Sequence, residues 1–284
     1  MTEPDVFTQE LNDTSIKYLH YAGDGPTLIM LHATGFSPWL FHPIARELSG
    51  EYRIIAPFLS HHRNAPPEEG ISWQVLADDL YQLCRKLNIE KPLLVGHSMG
   101  GTIITLAEAC HGPLAGKIIL IEPIYLPPWL YEVKVSPEQH PLAGKALQRK
   151  NYWKDTTEAR NYLYSRSFFK SWDEEVLELY ISRCMIAGEN GGLTLDCHPR
   201  TEAALFMGGL KRNPWPLLPE VSCPVLIIEG GQSENKSEID LSKAASLFPH
   251  AYYYQVDEAG HLIPMEHPAV ITEFIRSFLQ KESL

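Results

Sequence analysis

The feature that most constrains this chain is a series of short apolar runs, TLIMLH, YRIIAP, PLLVGH, KIILIE and PVLIIE. Each is four to six residues long, rich in Leu, Ile and Val, and free of the apolar-polar alternation that a half-exposed strand would show. Such runs predict strands buried on both faces. Helical patterns lie between most of them, at 72–88 and 99–110, and another follows the last run at 238–248. A strand that alternates with a helix returns through a right-handed crossover, so the expected fold class is α/β with a mostly parallel central sheet flanked by helices. VFTQEL and IKYLHY, joined at the turn-favouring Asn12 and Asp13, predict an antiparallel hairpin at a sheet edge. A last strand, AYYYQV, precedes a helix predicted from Pro268 to about Gln280, since proline suits a first helical turn.

One stretch interrupts this rhythm. From about Leu126 to Pro219 the chain carries helical and loop patterns, no convincing buried strand and four of its six tryptophans. Prolines 127, 128, 214, 216 and 219 cluster at its ends, as expected where a chain leaves and rejoins a core. The predicted organisation is therefore one core built from 1–125 and 220–284, with 126–219 inserted as a helical cap.

Composition narrows the function classes. A net charge of −11 argues against a nucleic-acid binder, which needs a basic face to displace counterions. The five cysteines form an odd set without a CxxC pair, so they are read as reduced, mostly packed thiols rather than a disulfide or zinc framework. No run of about 18 apolar residues occurs and the N-terminus lacks a signal pattern, so no membrane association and a cytoplasmic location are expected. No phosphate-binding glycine motif is present; the expectation is no cofactor, no metal, a small-molecule substrate, and a monomer or homodimer.

Gly96-His97-Ser98-Met99-Gly100 follows the strand PLLV directly and opens a helix. A serine at so sharp a turn has unfavourable backbone angles. The flanking glycines relieve crowding while the hydroxyl stands above the sheet edge, and the helix N-terminus favours developing negative charge. With this motif the chain resembles the α/β-hydrolase superfamily from its N-terminal hairpin to its last helix. The resemblance implies Ser98 as nucleophile and, in Ala259-Gly260-His261, His261 as general base. His32-Ala33-Thr34-Gly35-Phe36 resembles the superfamily's oxyanion motif, with Ala33 where glycine is usual, and implies the N–H groups of Thr34 and Met99 as oxyanion donors.

The acid is open between two glutamates. Ser233 stands where members often carry aspartate; Glu122 ends the strand KIILI, resembling members with the acid after the sixth strand, and Glu234 follows Ser233. Glu122 is preferred, because a carboxylate between an apolar strand and Pro123 needs a partner.

Substrate contacts are expected from His97, Phe36, Tyr125 and Trp129. His61 and His62, with no carboxylate or Cys cluster beside them, are not read as metal ligands, and Asp78, Asp79 and 173–178 are read as solvated helix faces. The expected activity is hydrolysis of carboxylic esters of small to medium apolar substrates by a Ser-His-Glu triad through an acyl-enzyme. Carbon–carbon bond hydrolysis of ring-cleavage products is the alternative, needing a cation from Arg149, Arg160, Arg166 or Arg183 for the substrate carboxylate. A weakly catalytic ligand sensor is the alternative from another class.

Overall fold

The computed structural model describes residues 3–188 and 191–280. In chain order the first half comprises β1 (Asp5–Glu10), β2 (Ser15–Tyr21), β3 (Thr27–Leu31), α1 (His42–Leu48), β4 (Arg53–Pro57), α2 (Trp73–Lys86), β5 (Leu93–His97), α3 (Met99–His111) and β6 (Lys117–Ile121). The middle comprises α4 (Pro141–Leu147), α5 (Thr156–Tyr164), α6 (Glu174–Arg183), β7 (Met185–Ala187), β8 (Leu193–Leu195) and α7 (Pro199–Gly208). The chain closes with β9 (Val225–Gly230), α8 (Leu241–Leu247), β10 (Ala251–Val256), α9 (Ile263–Glu266) and α10 (Pro268–Gln280).

Eight strands form one sheet in the order β1-β2-β4-β3-β5-β6-β9-β10. β2 runs antiparallel to both its neighbours and the other contacts are parallel. The apolar runs explain the layering, because successive side chains in a strand face opposite ways. Ile29, Leu31, Leu94, Ile118 and Ile227 pack with α2, α3 and α8. Their neighbours Leu28, Met30, Val95, Ile119 and Ile228 pack with α1 and α10 on the other face. Each buried Leu or Ile contributes roughly 1.5–3 kcal/mol relative to exposure, so neither layer is dispensable.

The 126–219 stretch holds α4 to α7 and also a small antiparallel pair, β7 with β8, which the sequence reading did not anticipate. α6 is defined by its cap: the Asp173 carboxylate accepts from the N–H groups of Glu175 and Val176, and Arg183 stands in its last turn. The stretch is tied to the sheet domain by backbone, where Asp173 N–H donates to Met265 O at 2.8 Å and Ile71 N–H to Ala204 O at 2.8 Å. Trp73 Nε1 adds a bond to Leu205 O at 2.8 Å.

One expectation about charged residues is corrected. Asp79 is not on a solvated face: it is fully buried, and its carboxylate accepts from His62 Nε2 at 2.9 Å and from Arg63 Nε at 2.8 Å. His61 pairs with Asp196 at 3.1 Å, so the two adjacent histidines face different carboxylates. Helix α2 turns Asp79 inward because Leu76, Leu80 and Leu83 share its buried side, and the carboxylate is tolerated there only because it is paired. Four cysteines are buried and Cys110 is exposed; all five are free thiols. Among the described residues no helix is long and apolar enough to cross a membrane.

Candidate active site

Ser98 sits between the end of β5 and the start of α3 with φ 54° and ψ −117°, a conformation that only glycine adopts without strain. The turn closes only because its neighbours lack side chains. A Cβ at Gly96 would lie 2.5 Å from the Gly100 carbonyl carbon, and one at Gly100 would lie 2.2 Å from Leu31 O. The Ser98 hydroxyl is thereby brought 3.1 Å from His261 Nε2.

His261 lies in the loop between β10 and α9, and its Nδ1 is 2.9 Å from Glu122 Oε2. Glu122 follows β6, is 1% exposed and has positive φ. Its carboxylate is nonetheless well supplied with donors. Oε1 accepts from Gly230 N–H at 2.6 Å, and Oε2 accepts from the Ser233 hydroxyl at 2.7 Å as well as facing the imidazole. With the Nδ1 proton directed at Glu122, the Nε2 lone pair faces the serine hydroxyl, which is the orientation a general base requires. Asn235, which no local motif singles out, brings its side-chain Nδ2 to 2.9 Å from the same Nδ1. Glu234, the other candidate acid, is exposed and lines the cavity, with no bond to His261.

Thr34 borders the cavity beside Ala33, and Met99 is the first residue of α3. Among the described residues neither N–H has a protein acceptor. The loop carrying Thr34 is braced by His32, whose Nδ1–H donates to Ala33 O at 2.8 Å while Nε2 accepts from Leu59 N–H at 3.0 Å.

Of the four expected substrate contacts, Phe36 lines the cavity. The other three do not. His97 is fully buried and donates from Nε2 to His261 O at 2.9 Å, so it fastens the histidine loop. Tyr125 is fully buried with its hydroxyl 2.6 Å from that of Thr105, and Trp129 is 60% exposed in a surface turn. Packing, not proximity in sequence, decides where these rings point.

The cavity over Ser98 measures about 690 Å³ and is walled largely by apolar groups, among them Trp73, Ile124, Trp153, Phe169 and Leu262. The 126–219 stretch also contributes polar residues that sequence reading passed over, Lys145, Lys150, Tyr180 and Glu202. Arg149 spans Glu202, at 2.9 and 3.0 Å, and the Tyr180 hydroxyl, at 2.6 Å. Burial pushes the Glu202 carboxyl up from its ordinary range, against the opposing pull of Arg149. Of the other arginines considered for a substrate carboxylate, Arg166 lines the cavity, whereas Arg160 pairs with Glu178 and Arg183 with Glu3.

The two histidines that brace the site also make stability depend on pH. Burial pushes His32 down to about 4 and His97 down to about 3, so both are neutral when folded. An unfolded imidazole binds its proton near pH 6.5, so below that pH the unfolded chain holds more protons and is favoured. Stability is therefore complete above about pH 6.5 and falls by about 1.4 kcal/mol per pH unit for each histidine until its folded value is reached. Urea unfolding at pH 7.5 and pH 5 should show the loss, and His97→Gln should shrink it; equal midpoints at the two pH values would contradict it.

Comparison with known proteins places this geometry in a family. The sequence pattern of the alpha/beta hydrolase family matches residues 28–274. The chain is 26% identical to the 2-(acetamidomethylene)succinate hydrolase of Mesorhizobium japonicum, over 90% of this chain and 89% of that one. It is 24% identical to esterase YbfF of Escherichia coli, over 83% and 86%. The crystal structure of an E-2-(acetamidomethylene)succinate hydrolase superposes with a TM-score of 0.81 at 20% identity, covering 98% of this chain and all of that one. A family pattern that spans most of the chain, on a sheet of this order, settles its membership: the chain belongs to the α/β-hydrolase family.

Proposed function

We propose that this chain is a serine hydrolase of carboxylic esters of small to medium apolar substrates, working through an acyl-enzyme. The observation that carries the reading is the unbroken relay Glu122–His261–Ser98, at 2.9 and 3.1 Å, opening onto a largely apolar cavity. Ser98 attacks the ester carbonyl as His261 Nε2 takes its proton, and the oxyanion is met by the N–H groups of Thr34 and Met99. His261 then protonates the departing alcohol, and a water activated by the same imidazole releases the acid. Glu122 holds the imidazole in one tautomer and stabilises its protonated form. The 126–219 stretch acts as a cap that closes the cavity over Ser98. The esterase named among the relatives supports this reading.

Hydrolysis of a carbon–carbon bond is a second reading, favoured by Arg149 and Arg166 in the cavity wall. The test is rapid-mixing hydrolysis of p-nitrophenyl esters of graded chain length. A burst of p-nitrophenol equal to the enzyme, followed by steady turnover and a mass increase on Ser98, is the expected result. Absence of both burst and turnover across the series would sink the ester reading.

A further inference from the structure

We propose that the cap wall of the cavity binds a carboxylate, so that the preferred esters carry a free acid group apart from the scissile bond. The inference rests on the ester-hydrolase reading and adds to its otherwise apolar substrates a carboxylate remote from the scissile bond. Two cations share one ring on that wall: Lys150 Nζ lies 5.1 Å and the Arg166 guanidinium 4.3 Å from the centre of Tyr162, and all three line the cavity. Lys145 borders it as well.

The pairing of these charges is uneven. Arg149 is satisfied by Glu202, and Lys150 by Glu158 at 2.7 Å. Among the described residues, the side chains of Lys145 and Arg166 have no carboxylate partner. Arg166, an exposed residue, sits over the Tyr162 ring and among the described residues keeps its donors unspent, which suits it to grip a carboxylate.

The wider charge distribution points the same way. Residues 126–219 carry twelve Lys and Arg against eleven Asp and Glu, while the rest of the chain carries twelve against twenty-four. A protein of net charge −11 repels anions in general, so cations collected around the cavity supply the local field that an anionic substrate needs. A neutral apolar ester gains nothing from them.

The test compares matched esters at low ionic strength: monoethyl adipate against ethyl hexanoate, and the hexanoyl ester of γ-hydroxybutyrate against butyl hexanoate. In each pair a carboxylate replaces a methyl group, on the acyl side in the first and on the alcohol side in the second. The expected result is that in at least one pair the acid-bearing ester has the higher kcat/KM. The double variant Lys145→Gln, Arg166→Gln should lower that value about tenfold through KM, with a clearly smaller loss on the neutral ester, and added salt should act likewise. Preference for the neutral member in both pairs, or equal loss on both members in the variant, overturns the proposal. Calorimetry with adipate separates this from failure of the ester reading. Adipate binding that the double variant loses, without turnover of any ester, keeps the anion site and removes the esterase; no binding and no preference removes the anion site.

Discussion

Ser98→Ala is expected to lower kcat for ester hydrolysis by roughly 10⁵- to 10⁶-fold, because the nucleophile and the imidazole act as a unit and the residual rate comes from oxyanion donors and binding alone. The same position should also reveal what the geometry costs. At φ 54° and ψ −117° a residue with a Cβ stores on the order of 1–3 kcal/mol of backbone strain. Ser98→Ala retains that Cβ and its strain, whereas Ser98→Gly removes both. The glycine variant loses part of the gain to the greater freedom of its unfolded chain, about 0.5–1 kcal/mol. Ser98→Gly should therefore be inactive yet more stable than Ser98→Ala by about 1 kcal/mol in urea unfolding. A Ser98→Gly variant less stable than Ser98→Ala by about 0.5–1 kcal/mol would show that the elbow stores no strain, and full activity in either would remove Ser98 from the chemistry.

The parts of this molecule that were legible in its sequence are those where one physical requirement dominates. Strands covered on both faces must be apolar throughout, so KIILI and PVLII could be read directly, and Pro268 marked the start of α10. The sharp turn at Ser98 was legible because only Gly96 and Gly100 let backbone pass so near. By contrast α1 has seven residues with proline near its start and no side-chain cap, too little periodicity to stand out. β7 and β8 have three residues each and pair with each other, with one further bridge from Leu193 to Trp153, so neither carries a core pattern.

The cavity was the least legible part. An aromatic residue does not announce which way it faces, and Tyr125 and Trp129 turned into the core and out to solvent respectively. Lys145, Lys150, Glu202 and Asn235 converge from separate elements, and no local spacing relates them. Asp79 shows the converse: its helix pattern reads as solvated only until His62 and Arg63 arrive from the loop after β4.

Replacing Glu122 should separate the two candidate acids, and with them the reason for Ser233. Glu122→Gln presents an amide to His261 Nδ1 and no longer fixes the proton there, so kcat should fall by roughly 10⁴-fold. Glu234→Gln should change kcat by less than about threefold, since an exposed carboxylate without a bond to the imidazole contributes little. Ser233 touches the first of them: its hydroxyl donates to the same Glu122 oxygen that faces the histidine, 2.7 Å on one side and 2.9 Å on the other. A carboxylate built at 233 therefore falls within reach of Nδ1. Ser233→Asp alone should be harmful, because two carboxylates crowd one buried site and one must be protonated or displaced. Combined with Glu122→Gln, the same change should recover at least about tenfold of the lost kcat by restoring a charged partner to the imidazole. Steady-state kinetics on one p-nitrophenyl ester across these four variants decides the matter. A fall in Glu234→Gln as deep as that in Glu122→Gln would move the acid to 234, whereas recovery only in the double variant would show that the histidine can take its acid from either strand end, with Glu122 the one this chain uses.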